Sequence, residues 1–290
     1  MGQIIDKKKV LITGPNGFIG KNIIKGLKKK IKFTKISRQS PNKITNFQSL
    51  LKLNGMDAVI HCAARTYVPD SYKNPFDFYK FNIISTLNIA EYCRKKKIEK
   101  LIYINAYPYG SPKYLPVDEN HILKPHSPYN SSKTIAENIL INYLDGITKV
   151  ISLRVFNVYG LYQSSNFLIP KIISQVKNEN IISLNDLRPK RDFLYIKDLV
   201  RLLEIILENK TGSGYFNVGS GKSYQITDII NIVSKMEDKI CQVTNLKNYR
   251  NSEILDLYAD IRKVSKTFGW KPIYSLERGL TDYLLELKNL

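Results

Sequence analysis

The sequence predicts an α/β fold, a doubly wound parallel sheet followed by a smaller C-terminal α/β substrate lobe. Two observations support this prediction. Short apolar strands alternate with longer helical patterns as far as residue 155, as expected for strands buried between two layers of helices. A glycine-rich turn joins the first strand to the first helix. With 290 residues, of which 43% are hydrophobic, the chain is long enough for one large domain and a smaller lobe.

The predicted elements alternate regularly in the first half of the chain and less regularly afterwards. In chain order, we predict strands over residues 9–13, 32–36, 57–62, 100–105 and 150–155, with helices from the glycine turn to about residue 30, over 75–96 and over 127–144. Shorter helices are predicted over 168–177, 196–208, 227–235 and 276–287, between short strands and turns. We therefore expect one domain over residues 1–156 and a lobe over 157–290, interleaved with the last strands of the sheet.

The chain is strongly basic, with a formal net charge of +20 and lysine runs such as Lys7 to Lys9 and Lys95 to Lys97. We interpret these runs as solvated faces, because they are spread along the chain and are not interleaved with aromatic side chains. No nucleic-acid partner is therefore expected. A positive field would still help to attract an anionic substrate.

Composition also argues against a membrane protein and a metal site. No apolar run is long enough to span a bilayer, and the apolar stretch after the basic N-terminus is too short for a signal sequence. The three cysteines, Cys62, Cys93 and Cys241, lack metal-ligand spacing and cannot all pair. We expect reduced thiols, no bound metal, no membrane partner and a cytoplasmic location.

The turn after the first strand carries three glycines at the spacing Gly-x-x-Gly-x-x-Gly. The first permits a tight turn, the second lets a pyrophosphate approach the backbone, and the third lets helix and strand pack closely. The N-terminus of the helix then faces the phosphates. The turn therefore predicts a Rossmann-type dinucleotide site lined by Gly14, Asn16, Gly17, Phe18, Ile19 and Gly20.

The end of the second strand bears on the choice between NAD and NADP. Enzymes that use NAD usually place a carboxylate there to bind the ribose diol, whereas this strand ends Ile36-Ser37-Arg38-Gln39-Ser40. Arg38 is able to bind a 2′-phosphate, with Ser37 donating a hydrogen bond. The cofactor prediction is NAD or NADP, and Arg38 favours NADP unless it is an ordinary surface arginine.

Tyr129 and Lys133 are four residues apart in a predicted helix, so both lie on one helix face. An ammonium beside a phenol favours the phenolate, and we expect it to lower the pKa of Tyr129 toward neutrality. Such a tyrosine is suited to give or take a proton when a hydride moves on or off a carbinol carbon. The pair alone is a weak signal, and the dinucleotide turn upstream is what makes it informative.

Ordered motifs along nearly the whole chain resemble those of the extended short-chain dehydrogenase/reductase family, in particular its nucleotide-sugar epimerase/dehydratase branch. The matching stretches are Thr13-Gly14-Pro15-Asn16-Gly17-Phe18-Ile19-Gly20, His61-Cys62-Ala63-Ala64, Asn82, Asn157-Val158-Tyr159-Gly160, Arg191-Asp192-Phe193, Phe216-Asn217-Val218-Gly219-Ser220-Gly221 and Trp270-Lys271-Pro272. The resemblance implies a Rossmann fold and an NAD(P)-dependent enzyme that acts on a nucleotide sugar.

The resemblance also implies roles for individual residues. Cofactor contacts are implied for Ala63, Ala64, Asn82, Tyr129 and Lys133. Contacts with the sugar or the diphosphate are implied for Thr66, Asn157, Asn166, Arg191 and Arg250. A guanidinium fork pairs well with phosphate oxygens, which suits the two arginines to the diphosphate. Family members often dimerise through two long helices, which here would be those over 75–96 and 127–144.

One departure from the family pattern affects the catalytic residues. The family places a Ser or Thr five residues before the glycine of a Val-Tyr-Gly-like motif, and counting back from Gly110 gives Asn105. An amide polarises a ketone but does not relay a proton as a hydroxyl does. Three interpretations stay open. Asn105 substitutes for the hydroxyl, another hydroxyl from Tyr107, Ser111 or Thr66 enters the site, or activity is reduced or lost.

The sequence therefore predicts an NAD(P)-dependent nucleotide-sugar 4-epimerase that acts by transient hydride transfer at C4 of an NDP-hexose. One alternative is an NADPH-dependent NDP-4-keto-sugar reductase. Another is a catalytically impaired dinucleotide-binding paralogue with Asn105 in place of Ser or Thr. A 4,6-dehydratase is not expected, because the family's Asp-Glu pair for water elimination is replaced by Ala106-Tyr107.

Overall fold

The computed structural model describes residues 7–37, 44–179, 181–209, 212–249 and 253–289. The helices are α1 (Phe18–Leu27), α2 (Phe47–Leu51), α3 (Val68–Lys73), α4 (Pro75–Lys96), α5 (Pro128–Tyr143), α6 (Leu168–Asn178), α7 (Ile196–Glu208), α8 (Ile226–Met236), α9 (Arg262–Phe268) and α10 (Leu276–Lys288). The strands are β1 (Lys9–Thr13), β2 (Lys32–Ile36), β3 (Ala58–His61), β4 (Lys100–Ala106), β5 (Lys149–Val155), β6 (Asn157–Tyr159), β7 (Ile181–Leu184), β8 (Lys190–Arg191), β9 (Phe193–Tyr195), β10 (Gly214–Val218), β11 (Tyr224–Gln225), β12 (Gln242–Asn245) and β13 (Asp256–Leu257).

The central sheet has six strands in the order β10-β5-β4-β3-β1-β2. The pairs from β2 through β1, β3 and β4 to β5 are all parallel. Strand order reverses between β1 and β3, where Thr13 pairs with His61, and such switch points are where open α/β sheets bind ligands. The predicted doubly wound parallel sheet is therefore confirmed.

The chain folds into two compact units. The first comprises Met1–Gly110, Ile122–Val155 and Leu202–Phe216, and the second comprises Ser111–His121, Phe156–Arg201 and Asn217–Leu290. The assignment of a dinucleotide domain to residues 1–156 and a nucleotide-sugar lobe to 157–290 stays a prediction.

The core of the first unit lies between the sheet and the pair α4 and α5. Leu11, Val59 and Leu101 on three neighbouring strands pack with Ile89 on α4 and Leu140 on α5, and all five side chains are fully buried. Each such side chain contributes about 1.5–3 kcal/mol by burial, so this layer holds α5 firmly against the sheet.

Buried polar contacts tie distant segments into each unit. In the first, the ammonium of Lys100 donates to the carbonyl oxygen of Ile206 at 2.6 Å and to that of Asn209, which satisfies carbonyls at the end of α7. In the second, Asn217 donates from its backbone N–H to Glu119 at 2.8 Å and from its side chain to the Val117 carbonyl at 2.9 Å. These bonds join residues about a hundred positions apart, which local sequence patterns do not reveal.

The predicted boundaries of α4 and α7 match the structure, whereas those of the other predicted helices differ by one to three residues, because helix ends depend on capping. Ser127, predicted as helical, is the N-cap of α5, and its hydroxyl accepts from the Asn130 backbone N–H at 3.1 Å. The short helices α2, α3 and α9 were not predicted. Among the described residues, no helix combines the length and apolar character needed to cross a membrane.

Candidate active site

The glycine turn after β1 has the geometry expected of a phosphate-binding turn. Gly14 adopts φ +68°, and its backbone N–H donates to the Ile36 carbonyl on β2 at 3.1 Å. A Cβ at Gly14 would lie 3.0 Å from the backbone of Ala63, and one at Gly20 would collide with the Gly14 carbonyl. Only glycine fits these two positions without displacing the backbone.

The N-terminus of α1 fits a dinucleotide pyrophosphate. Its N-cap, Gly17, provides no side-chain cap, and the first turn contains no acidic residue. The orphan N–H groups of this turn and the positive end of the helix dipole therefore favour an anion. Asn16, Phe18 and Ile19 belong to this turn and first helical turn, and their contacts with a cofactor stay predictions.

A buried histidine joins the ends of β1 and β3 at the switch point. His61 bonds the Thr13 hydroxyl at 2.7 Å through Nδ1 and the Thr86 hydroxyl at 3.0 Å through Nε2. Thr13 in turn accepts from the backbone N–H of Ala63 at 3.1 Å. Burial, assisted by the Lys133 ammonium, lowers the pKa of His61 to about 3, so this imidazole is neutral and structural.

Asn82 connects the loop after β3 to helix α5. Its amide oxygen accepts from the Arg65 backbone N–H at 2.8 Å, and its nitrogen donates to the Ser132 hydroxyl at 2.9 Å. Ser132 donates to the carbonyl of Tyr129 at 2.7 Å. Asn82 thus orders both Ala64, which precedes Arg65, and the first turn of α5. Direct cofactor contacts by Ala63, Ala64 and Asn82 stay predictions.

Lys133 is buried at the interface of α5 and β4, with 2% of its surface exposed. Its ammonium donates to the Ile104 carbonyl at 2.8 Å and lies 3.9 Å from the centre of the Tyr103 ring. Burial lowers the pKa of Lys133 to about 7, and the neighbouring Cys62 and Glu137 only partly oppose this effect.

The expected lowering of the Tyr129 pKa by Lys133 is wrong in this structure. Tyr129 is half-buried on the first turn of α5, and burial raises the pKa of its phenol, as does the nearby phenol of Tyr107. Sequence spacing places Tyr129 and Lys133 on one face, but it does not include the cost of desolvating a phenolate. At neutral pH, Tyr129 holds the proton that it would donate.

The buried cation gives a prediction for the Lys133→Met variant. Below pH 7 both folded and unfolded chains protonate this lysine, and the folded state bears the full desolvation cost. Between pH 7 and the ordinary value of 10.5, the folded state releases the proton first, so wild-type stability rises with pH. We expect the variant to gain stability relative to wild type at low pH. Its free energy of unfolding minus that of wild type should be about 1–3 kcal/mol larger at pH 6 than at pH 9. Urea unfolding at both pH values tests this, with surface Lys266→Met as the control. An equal difference at both values would contradict it.

Asn105 is 3% exposed, and both atoms of its amide have partners inside the first unit. The nitrogen donates to the Glu137 carboxylate at 2.9 Å, and the oxygen accepts from the Ala106 backbone N–H at 2.9 Å. Of the three interpretations that the sequence left open, one requires this amide to face the substrate, whereas the structure holds it in contacts with its own protein.

Sequence reasoning missed a buried ion pair, whose carboxylate accepts the hydrogen bond from Asn105. Glu137 on α5 and Arg154 on β5 approach to 2.6 Å, with side chains that are 1% and 3% exposed. The same carboxylate accepts from the Ser152 hydroxyl at 2.5 Å, and Arg154 donates to the Tyr109 hydroxyl at 3.1 Å. Two signals were present: an arginine within an apolar strand, and a glutamate one turn beyond Lys133.

The predicted substrate residues are divided between the two units. Thr66 is exposed in the loop between β3 and α3 of the first unit, whereas Asn157, Asn166 and Arg191 belong to the second. Asn157 donates to the Asp192 carbonyl at 3.0 Å, and Asn166 is exposed, with a long backbone bond of 3.3 Å to the Ser164 hydroxyl. Arg191 pairs with Glu253 and donates to the Lys190 carbonyl at 2.8 Å. Arg38, predicted to bind the cofactor, and Arg250, predicted to bind the diphosphate, lie outside the described residues.

Comparison with known proteins agrees with this geometry. A model of the NAD-dependent epimerase/dehydratase family matches residues 10–219. The chain belongs to this family. Its members are nucleotide-sugar epimerases, dehydratases and reductases, so the predicted family is confirmed.

Family relatives match over almost the full chain. A Methanocaldococcus jannaschii protein provisionally named UDP-glucose 4-epimerase is 31% identical, covering 97% of this chain and 98% of that protein. The GDP-6-deoxy-D-talose 4-dehydrogenase of Aggregatibacter actinomycetemcomitans is 32% identical, covering 90% and 91%. The structure of a UDP-N-acetylglucosamine 4-epimerase from Methanobrevibacter ruminantium, in complex with UDP-N-acetylmuramic acid, superposes with a TM-score of 0.85 at 28% identity, covering 98% and 99%.

Proposed function

We propose that this chain is a nucleotide-sugar 4-epimerase that uses NAD or NADP. One observation carries the proposal: the glycine turn and the Tyr129/Lys133 helix meet at the end of β3. Gly14 packs against the Ala63 backbone. Burial raises the pKa of the adjacent Cys62 to about 12, an effect that the nearby Lys133 ammonium opposes. A dinucleotide bound on the turn would therefore extend toward Tyr129 and Lys133, the residues proposed to transfer the proton.

Separate groups of this chain are proposed to bind the cofactor, to transfer the proton and to bind the substrate. The N–H groups at the start of α1 would bind the pyrophosphate, and Lys133 would orient the nicotinamide ribose. Tyr129 gives and takes the proton on the C4 oxygen, a role worth about 10²- to 10⁴-fold in rate. When bound, the dinucleotide supplies the acceptor and donor of the C4 hydride. Asn157, Asn166, Arg191 and Arg250 are proposed to bind the sugar diphosphate, and Thr66 to contact the sugar.

An NADPH-dependent 4-ketoreductase is the second candidate. It is favoured by the end of β2, where Ser37 follows Ile36 and no carboxylate is available for a ribose diol. It is also favoured by the protonated state of Tyr129, which suits protonation of a newly formed alkoxide. The proposed cofactor preference for NADP rests on Arg38, which lies outside the described residues.

One experiment separates these candidates. Freshly purified protein is denatured, and the dinucleotide it releases is identified. Stoichiometric NAD(H) is the result expected of an epimerase that retains and recycles its cofactor, and it would contradict the NADP preference. Protein that is empty, and that binds NADPH much more tightly than NADH, would support the reductase instead.

The buried contacts of Asn105 favour a third candidate, a paralogue with little or no turnover. The intact Tyr129/Lys133 pair argues against it. Asn105→Ser distinguishes the two cases: a large gain in activity would indicate decay from an ancestral hydroxyl, and a loss would show that the amide contributes.

A 4,6-dehydratase activity is not proposed, because Ala106 and Tyr107 provide no carboxylate for removing a proton or water. The formation of a 4-keto-6-deoxy sugar from an NDP-hexose would contradict this.

A homodimer is proposed through α4 and α5, which pack together in the first unit. Ile84 and Leu87 on α4 and Ile135 on α5 are apolar yet exposed. We expect a dimer by light scattering and a monomer after Leu87→Glu, whereas Leu285→Glu on α10 should leave the dimer intact. A monomeric wild type would contradict the proposal.

A further inference from the structure

The family position for a proton-relaying hydroxyl holds Asn105, and the structure leaves this side chain little freedom. Its oxygen bonds the Ala106 backbone, and its nitrogen bonds Glu137. Glu137 is in turn fixed by Arg154 and Ser152 in a buried cluster. Turning the amide toward a substrate would break its bond to a buried carboxylate, which is costly. An amide also donates hydrogen bonds through its N–H groups but does not relay a proton as a hydroxyl does.

Two hydroxyl-bearing residues lie two positions from Asn105. One of them, Tyr103, is buried within β4, where its hydroxyl donates to the Lys133 carbonyl at 3.5 Å, and the other is Tyr107. Strand β4 ends at Ala106, and Tyr107 follows it at the carboxyl edge of the sheet. The carbonyl of Tyr107 accepts from the Asn130 side chain at 3.2 Å. Asn130 immediately follows Tyr129 and is itself held by the Ser127 cap at the start of α5. The backbone at Tyr107 is therefore fastened to the helical turn that carries Tyr129.

Tyr107 also influences the pKa of Tyr129. Tyr107 and Tyr129 are both half-buried, and the Tyr107 phenol contributes to the raised pKa of Tyr129. The competing hydroxyl of the first unit, Thr66, is exposed in the β3–α3 loop and has no described bond to α5. Position, attachment and electrostatic coupling thus single out Tyr107.

We propose that Tyr107 is a catalytic residue that replaces the missing Ser or Thr hydroxyl and contacts the C4 oxygen of the nucleotide sugar. This inference rests on the proposed function. When the C4 alcohol is oxidised, its hydroxyl proton passes to the Tyr107 oxygen while the Tyr107 proton passes to the phenolate form of Tyr129, which the raised pKa of Tyr129 makes the minor form at neutral pH. When the ketone is reduced, Tyr129 gives a proton to Tyr107, and Tyr107 gives its own to the new alkoxide. Tyr107 therefore ends each transfer with the proton count it began with.

The test compares wild type with Tyr107→Phe, Tyr129→Phe and the surface control Tyr114→Phe. Initial rates are measured on a panel of UDP-, GDP- and dTDP-hexoses, with dinucleotide affinity by calorimetry and the solvent deuterium isotope effect on kcat. For Tyr107→Phe, we expect kcat to fall by about 10²- to 10⁴-fold. KM and dinucleotide affinity should stay within about threefold of wild type, and the isotope effect should rise because proton transfer becomes limiting. A purely structural role would change affinity or folding without raising the isotope effect.

The outcomes distinguish the inference from the function on which it rests. If Tyr129→Phe loses activity while Tyr107→Phe keeps wild-type kcat, the inference is wrong and the proposed function stands. If Tyr107→Phe loses kcat with an unchanged isotope effect, or loses the dinucleotide, the relay is also wrong. A wild type that binds the dinucleotide but converts no member of the panel overturns the proposed function, and the inference with it.

Discussion

Tyr129→Phe is expected to lower turnover of the nucleotide sugar by about 10²- to 10⁴-fold while leaving dinucleotide affinity near that of wild type. The change removes one hydroxyl from a half-buried ring on the first turn of α5 and keeps the ring's packing. Since burial and Tyr107 raise the pKa of Tyr129, its phenol carries the proton needed for the alkoxide at neutral pH. The measurement is kcat and KM for the sugar, with calorimetric affinity for NAD and NADP.

The exposed phenol of Tyr114, which bonds Asp118 at 2.7 Å, provides the matched control. Tyr114→Phe also deletes one phenolic hydroxyl, and we expect it to keep wild-type kcat. If Tyr129→Phe retained more than about a tenth of wild-type activity, Tyr129 would not be the principal acid–base group. A parallel loss of dinucleotide binding would instead assign the effect to the cofactor site.

Local patterns were sufficient to predict the secondary structure that carries the candidate site residues. The β1–turn–α1 unit was predicted because its three glycines, the apolar strand and the helix all lie between Lys9 and Leu27. Tyr129 and Lys133 were predicted because an interval of four residues determines a shared helix face. The boundaries of α7, Ile196–Glu208, were also correct for this reason, since its apolar periodicity is strong.

The environment of these residues was not predictable, because it depends on contacts between distant segments. Asn105 meets Glu137 across 32 positions, and Glu137 meets Arg154 across 17. No spacing rule joins them, so the sequence alone allowed Asn105 to face a substrate. The predicted direction of the Tyr129 pKa shift was wrong for the same reason. The shift is determined mainly by burial, which is a property of the whole fold.

The Glu137→Gln variant is expected to lower the free energy of unfolding by about 3–5 kcal/mol. The substitution leaves Arg154 charged and 2% exposed, with neutral partners such as the Tyr109 hydroxyl and the face of the Tyr215 ring, 4.2 Å from its guanidinium carbon. A buried, unpaired charge is much more costly than the loss of one hydrogen bond. Urea unfolding at pH 7 measures the effect.

A surface pair provides the control for this cost. Glu91 receives two bonds from Arg94, at 2.6 and 2.7 Å, so its geometry is as good as that of the buried pair. Because Arg94 is exposed, Glu91→Gln should cost only about 0–1 kcal/mol. A similar small effect at Glu137 would show that water reaches Arg154 and that the pair is not electrostatically isolated.

The double variant Glu137→Leu with Arg154→Met separates charge from packing. Replacing both ions by apolar groups removes the desolvation cost together with the attraction, so stability should recover to within about 1–2 kcal/mol of wild type. The same variant deprives Asn105 of its carboxylate partner and frees its amide to turn. If Tyr107 is the relay, turnover should then change far less than in Tyr107→Phe. If turnover falls as far as it does in Tyr107→Phe, the fixed orientation of Asn105 is itself needed for catalysis.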